Sequence, residues 1–333
     1  MSSTLRWGVL GTGGIAHLQT RDLVDNGFAV AAVGSRSQAS ADAFAAEFGI
    51  STAHPSYEAL VADPGVDAIY VSTPHPFHAP GAKLALEAGK HVLLEKPFTV
   101  NAREAREVVA LAAGRGLVVL EAMWTRFLPQ SARIRQLIAD GVIGEPRTLI
   151  ADHNQLLSTD PENRINKLEL GGGALLDLGI YPVSFAHELF GVPTRIAAVG
   201  ELSATGVDRQ TSIVMGFDGG RQAVLHTALD TAGPNTASVL GTAGRISFDS
   251  VWYTPTTITV RDNRGQVIEL IEPAETSRGM QYQAAELERL VAAGVVSGSI
   301  LAPAESVSIM ETLDEIRRQI GLVYPADSVP QSN

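Results

Sequence analysis

The chain has 333 residues, 45% hydrophobic and 18% charged, with no long biased tract, which describes a folded protein too long for one core and suited to two domains. A formal charge of −11 excludes nucleic acid as a bulk partner, because phosphate backbones are held by clustered Lys and Arg. With no cysteine, disulfides, thiolate catalysis and Cys-ligated zinc are excluded, and a reducing compartment is suited.

The N-terminus, Met1-Ser2-Ser3-Thr4-Leu5-Arg6-Trp7, lacks a basic stretch followed by a long apolar one. No signal peptide is expected, and no run of about 18 apolar residues would span a membrane, so a cytoplasmic protein without a membrane partner is expected. Short apolar runs then alternate with helical patterns. Trp7–Leu10 is a strand and Ile15–Asn26 a helix; Ala29–Val33 is a strand and Ala39–Phe48 a helix. A short piece near Thr52 leads to a helix at Tyr57–Val61. Strands at Ala68–Ser72, His91–Leu94 and Leu117–Leu120 interleave with helices at Pro80–Ala88 and Ala102–Ala113. This alternation predicts βαβ units and a doubly wound parallel sheet, an α/β Rossmann domain over residues 1–124.

From residue 125 the pattern changes. A helix at Gly173–Phe190 is followed by strands at Thr194–Glu201, Gln210–Phe217, Gln222–Thr227, Ser238–Leu240, Arg245–Asp249 and Thr256–Asp262, with Thr148–Gln155 before it. Gly-rich breaks such as Asp218-Gly219-Gly220 separate them, which predicts a large, mostly antiparallel open sheet in an α+β domain over 125–333. Helices at Met280–Ala293 and Ala304–Ile320 close the chain, with the C-terminal helix able to pack back on the first domain, and the last ten residues through Asp327–Asn333 are expected to fray. The cleft between the domains is the expected site.

Gly11-Thr12-Gly13-Gly14-Ile15-Ala16 follows the first strand and opens the first helix. Gly11 and Gly13 allow a tight turn and close backbone approach, and the helix N-terminus offers free N–H groups to a pyrophosphate. Gly14, Ile15 and Ala16 complete this cofactor-binding segment. A carboxylate after the second strand would grip a ribose 2′-hydroxyl and mark NAD. Here the strand ends in Val33-Gly34-Ser35-Arg36-Ser37, where Arg36 can pair a 2′-phosphate and Ser35 can add a hydrogen bond, so NADP is favoured over NAD. The alternative is an Arg36 that stacks on adenine and leaves the choice open.

Three further segments carry chemistry: Ser72-Thr73-Pro74-His75 after the fourth strand, Glu95-Lys96-Pro97 after the fifth, and Gly171-Gly172-Gly173-Ala174-Leu175-Leu176-Asp177-Leu178-Gly179-Ile180-Tyr181. With the glycine turn these resemble the glucose–fructose oxidoreductase / inositol dehydrogenase family, over essentially the whole length. Glu121-Ala122-Met123-Trp124-Thr125-Arg126-Phe127 is similar to its branch of dimeric dihydrodiol dehydrogenases and NADP-dependent D-xylose dehydrogenases. The wider family often has His where this chain has Tyr181; that branch has Tyr.

The resemblance implies an oxidoreductase that moves a hydride to or from a carbinol carbon of a sugar or cyclic trans-diol. Asp177 and Tyr181, four apart on a helix, would share a face. A phenol of pKa about 10 needs a cation to act as a base near neutrality, and Lys96 is that cation; Asp177 would orient a hydroxyl or the lysine. The bland alternatives are a core Tyr181 and an Asp177 paired only with Lys96. The family implies that Glu95 supports the nicotinamide ribose or carboxamide side; Lys96 is counted with it among the cofactor-binding residues. Thr73 and His75 lie on the loop expected to pass near the cofactor, and Arg126 is expected to meet the cofactor or a substrate oxygen; His75 as an exposed loop residue stays open. His78 is read as capping the next helix. Trp124, Phe127 and Arg164 are assigned to the substrate side, with a packed hinge aromatic as the other reading of Trp124 and Phe127. No metal is expected, since His153, His187 and His226 are scattered. The resemblance further implies a homodimer, or a dimer of dimers, through the C-terminal sheet. A non-catalytic nucleotide-sensing regulator is the alternative function, and intact Glu95-Lys96-Pro97 and Asp177/Tyr181 argue against it.

Overall fold

The structure, a computed structural model, describes residues 5–274 and 277–328. In the first compact unit, elements alternate as β1 (Arg6–Leu10), α1 (Gly14–Asp25), β2 (Ala29–Gly34), α2 (Gln38–Phe48), β3 (Thr52–His54), α3 (Tyr57–Val61), β4 (Ala68–Val71), α4 (His78–Glu87), β5 (His91–Glu95), α5 (Ala102–Arg115) and β6 (Val119–Ala122). The six strands form a parallel sheet in the order β3-β2-β1-β4-β5-β6. Trp7, Val9, Ile69, Tyr70, Val71, Val92, Leu93 and Leu94 are fully buried, as a sheet covered on both faces requires; each contributes about 1.5–3 kcal/mol by leaving water. The order reverses between β1 and β4, so Gly11 and Ser72-Thr73 leave neighbouring strands at the same carboxyl edge, where such sheets place ligands. Ser37 and Asn101 cap α2 and α5 by accepting from the N–H of Ser40 and Glu104.

The second unit holds α6 (Pro129–Ala139), β7 (Pro146–Asn154), a π-helical turn at Leu175–Gly179 that runs into α7 (Ile180–Phe190), then β8 (Arg195–Leu202), β9 (Asp208–Gly216), β10 (Gln222–Ala228), β11 (Ala237–Gly241), β12 (Gly244–Phe248), β13 (Ile258–Asp262) and β14 (Val267–Ile271). These strands make an eight-stranded sheet ordered β14-β13-β12-β11-β7-β10-β9-β8, antiparallel except between β7 and β10. The π turn and α7 pack on one face, over Leu149, Ile213, Met215, Ala223 and Leu225. Alternate residues point the other way: Ile150, Val214 and Val224 are between 43% and 48% exposed. The remaining helices are α8 (Gln281–Ala292) and α9 (Pro303–Ile320).

The α/β plus α+β architecture is as expected; several details differ. Where the sequence reading divides the chain after residue 124, the first unit comprises Met1–Phe127 and Gly279–Val307, and the second Leu128–Arg278 and Ser308–Asn333. The α8 segment joins the first unit through buried polar bonds: Trp7 Nε1 donates to Glu288 Oε1 at 2.9 Å, Gln283 Nε2 to Gln19 Oε1 at 2.7 Å, and the Met280 N–H to Asp22 at 2.9 Å. The sequence reading does not include β14 or α6; β14 is an edge strand with three of its five residues exposed and none buried, so it lacks the alternation that marks a buried face. The helix expected from Gly173 starts at Leu175, and as a π turn. Of the end expected to fray, Pro325–Ser328 forms a 3₁₀ turn in which Asp327 accepts from Arg317 Nη1 at 2.6 Å; residues 329–333 lie outside the described residues.

Candidate active site

The glycine turn shows which glycines the fold needs and which it does not. Gly11 has φ +108°, a backbone conformation that favours glycine, and a Cβ there would also sit 3.0 Å from Ser72 Oγ, so the fold itself demands glycine. Gly13 and Gly14 have unremarkable φ, are exposed, and a Cβ on either would meet nothing. Gly13 is also the N-cap of α1 and supplies no side-chain bond, and the first turn holds no acidic residue. A helix start left open, with space above its glycines, fits a pyrophosphate. Ile15 is half-buried, and Ala16 is fully buried in the core.

At the end of β2, Ser35 is buried with its hydroxyl 3.4 Å from that of Thr12, while Arg36 is exposed and hydrogen-bonded to Tyr57. Burial is the main reason the Tyr57 phenol is pushed up, and the Arg36 charge opposes it. At the end of β4, Thr73 is buried and its Oγ1 has no protein partner, an orphan that a bound cofactor would satisfy. His75 is buried, not exposed, and opens a 3₁₀ turn with its ring 5.5 Å from that of His78. His78 is no cap: its Nδ1 lies 2.8 Å from the Pro97 carbonyl oxygen and its Nε2 2.9 Å from that of Thr73. Complete burial pushes its imidazole down to about 3.

Glu95, buried at the end of β5, accepts from Tyr70 Oη at 2.6 Å and from the Lys96 N–H at 3.2 Å. Lys96 follows, half-buried, with a cis peptide to Pro97. Behind this turn, Glu121 of β6 accepts from the Phe98 N–H at 3.1 Å and from Ser306 Oγ at 2.6 Å. Burial outweighs these donors and the nearby Arg126 charge, and pushes the Glu121 carboxyl up from 4.5 to about 7. A carboxyl raised on folding contributes stability below its unfolded pKa and loses it as pH climbs through 7. Glu121→Gln is therefore expected to melt higher than the parent at about pH 8, by an amount on the order of 3 kcal/mol, with the gap narrowing toward about pH 5. Thermal unfolding across that range measures it, and a pH-independent gap would refute it.

Trp124, Arg126 and Phe127 form a 3₁₀ turn after β6 and are all buried. Arg126, expected at cofactor or substrate, donates to Glu305 Oε1 at 2.8 Å and to the Ile300 carbonyl at 3.4 Å. That pairing, 179 residues apart, was not legible in sequence.

In the second unit, Asp177 sits inside the π turn and Tyr181 in the first turn of α7, so their spacing is not that of a regular α-helix. Such turns recur at functional sites. Asp177 is 9% exposed and accepts from Arg164 Nη2 at 3.3 Å, which brings two predicted residues together. Tyr181 stands in an aromatic group missed in the sequence: its ring lies 5.0 Å from His153 and 5.5 Å from Tyr253, while His153 and Tyr253 stack at 3.7 Å. Gln155 Nε2 bonds both His153 Nε2, at 2.9 Å, and Tyr253 Oη, at 3.4 Å. The period-2 alternation that marks β7 placed His153 inward and was the available signal.

The start of the π turn is set by glycine and a buried acid. Asp208 accepts from the Leu175 N–H at 2.8 Å and Thr211 Oγ1 at 3.0 Å; burial pushes its carboxyl up to about 6. Tyr324 Oη donates to the Gly172 carbonyl at 2.6 Å. A cleft of about 360 Å³ between residues 192–196 and Ser308, Glu311, Thr312 and Glu315 contains none of the predicted residues. Among the described residues no group of three His, Asp or Glu side chains is placed to hold a metal ion, and no helix is long and apolar enough to cross a membrane.

Residues 5–123 match GFO/IDH/MocA, an oxidoreductase family with an NAD-binding Rossmann fold, and residues 131–247 match the C-terminal domain of that family. The trans-1,2-dihydrobenzene-1,2-diol dehydrogenases of Mus musculus and Danio rerio are each 36% identical over 97% of this chain and 99% of their own. Among solved structures, the 3-ketoreductase KijD10 of Actinomadura kijaniata, crystallised with NADP and TDP-benzene, is 27% identical with a TM-score of 0.85, covering 95% of this chain and 98% of that one.

Proposed function

This chain belongs to the GFO/IDH/MocA family of oxidoreductases, and we propose that it moves a hydride between NADP and a carbinol carbon of a sugar or cyclic trans-diol. The observation that carries the reading is the edge of the nucleotide sheet. An open helix start over Gly13, an exposed Arg36 and an orphaned Thr73 hydroxyl lie at the strand ends that also present Glu95 and Lys96. NADP, when bound, supplies the hydride acceptor or donor. Gly11, Gly13, Gly14 and Ile15 would receive its pyrophosphate, Ser35 and Arg36 its 2′-phosphate, and Thr73, His75 and Glu95 its nicotinamide end. Arg36 is the only one of these side chains suited to pairing a phosphate bidentately.

In this reading Tyr181 takes the hydroxyl proton, and Lys96 holds the oxygen as it becomes a carbonyl. Asp177, tied to Arg164, orients the substrate. The test is a panel of aldoses and trans-dihydrodiols, followed through the near-ultraviolet absorbance of NADPH. Turnover with NADP in preference to NAD is expected, and Arg36→Ala should weaken NADP roughly 10- to 100-fold while leaving NAD nearly unchanged. NADP binding without turnover on any substrate would favour a sensor instead.

The finer setting is part of the same proposal. The cysteine-free composition suits the cytoplasm. Across the uncovered face of the eight-stranded sheet, Ala197, Val214, Val224 and Ile150 stand opposite one another in register, an apolar row on β8, β9, β10 and β7. A second copy would cover it by a two-fold contact. Light scattering at micromolar concentration should give a dimer or a dimer of dimers, and Val224→Asp should reduce it to smaller species; a monomeric parent would sink this.

A further inference from the structure

The turn that carries Lys96 is held from behind by side chains, and one of them has no role in the reading above. The peptide between Pro97 and Phe98 is gripped at both ends: its N–H donates to Glu121 Oε1 at 3.1 Å, and its carbonyl faces His78 Nδ1 at 2.8 Å. One residue earlier, the Lys96 N–H is held by Glu95, which Tyr70 holds in turn. We propose that His78 is a positioning residue for the reaction, fixing Lys96 by donating from Nδ1 to the Pro97 carbonyl. The inference rests on Lys96 being the catalytic cation.

The ring has two neighbours at hydrogen-bond distance, the carbonyls of Pro97 and Thr73, and both can only accept. Burial at 1% exposure favours the neutral ring, which carries one N–H and satisfies one carbonyl. The Pro97 carbonyl cannot turn away, because the N–H of the same peptide is anchored on Glu121. His78 opens α4, a helix packed on β4 and β5, so it refers the Lys96 turn to the sheet itself. Rigid support of this kind matters because an error of about 1 Å in a catalytic group costs on the order of 100-fold in rate.

Amide side chains separate the two contacts. An asparagine amide nitrogen falls near the position of Nδ1, and a glutamine amide nitrogen near that of Nε2. With the best substrate of the panel, His78→Ala is expected to lose roughly 10- to 100-fold in kcat while KM for NADP stays within about three-fold. His78→Asn should recover kcat to within about three-fold of the parent, and His78→Gln should stay as slow as His78→Ala. Equal rates for the Asn and Gln variants, or parental kcat in His78→Ala, would overturn the proposal; if His78→Ala fails to fold, the Asn and Gln pair still decides. Lys96→Ala is measured alongside. Its inactivity together with a parental His78→Ala sinks this inference alone, whereas full activity of Lys96→Ala sinks the underlying reading as well.

Discussion

Lys96→Ala is expected to lower kcat with NADP by roughly 10³-fold, and Tyr181→Phe by about 10²- to 10⁴-fold, with NADPH affinity within a few-fold of the parent in both. The two changes delete different parts of one proton transfer. On the proposed mechanism, removing the hydroxyl of Tyr181 deletes the group that takes or gives the substrate proton, while the ring keeps its contacts with His153 and Tyr253. On the same proposal, removing the ammonium of Lys96 takes away the charge that would stabilise the oxygen as it changes from hydroxyl to carbonyl. Because both act on one step, the double variant should be little slower than the worse single one. Neither substitution leaves a large cavity, since Lys96 is half-buried and phenylalanine keeps the volume of tyrosine, so melting temperatures should move little. Steady-state rates with equilibrium NADPH titration make the measurement. Full turnover in both variants would remove Lys96 and Tyr181 from the mechanism.

Much of the proposed site could be read from local sequence, because the parts proposed to touch a nucleotide are local motifs. Gly11 to Ala16 lie within one strand-to-helix turn, Ser35 and Arg36 end a strand, and Glu95-Lys96-Pro97 ends another, so strand assignment alone put them on one sheet edge. What was lost depends on contacts far apart in the chain. Arg126 is legible as a buried-turn cation, but its partner Glu305, 179 residues on, is not. His78 reads as a helix cap until two carbonyls, one of them 19 residues on, are found at its ring. The run Leu175-Leu176-Asp177-Leu178-Gly179-Ile180 is apolar on nearly every side, so its periodicity does not distinguish a π turn from an α-helix. Likewise α1 buries Gln19 and Asp22, polar residues that only make sense once Gln283 of α8 and the Met280 N–H just before it supply their partners.

Gly173→Ala is expected to destabilise the protein by about 3–5 kcal/mol, whereas Gly13→Ala should change stability by no more than about 1 kcal/mol yet weaken NADP by at least about 10-fold. The contrast follows from what each hydrogen atom leaves room for. Gly173 has φ +123°, a backbone conformation that costs a side chain of order 1–3 kcal/mol, and its Cβ would overlap the carboxylate of Asp208 and approach Tyr324 Oη to 3.2 Å. Asp208 cannot retreat cheaply. It is fully buried, bound to the Leu175 N–H and to Thr211, and it sets the first turn of the segment that presents Asp177 and Tyr181. Gly13 has φ −80° and open space around the absent Cβ, so nothing in the protein requires glycine there. Its requirement would come from the pyrophosphate, which a methyl group at the mouth of α1 would hold away from the helix N–H groups. Denaturant melts and NADPH titration of both variants separate the two demands: a Gly13→Ala protein that binds NADPH as well as the parent would show that the open turn is not a nucleotide cradle, and a Gly173→Ala protein of parental stability would show that Asp208 does not fix the π turn.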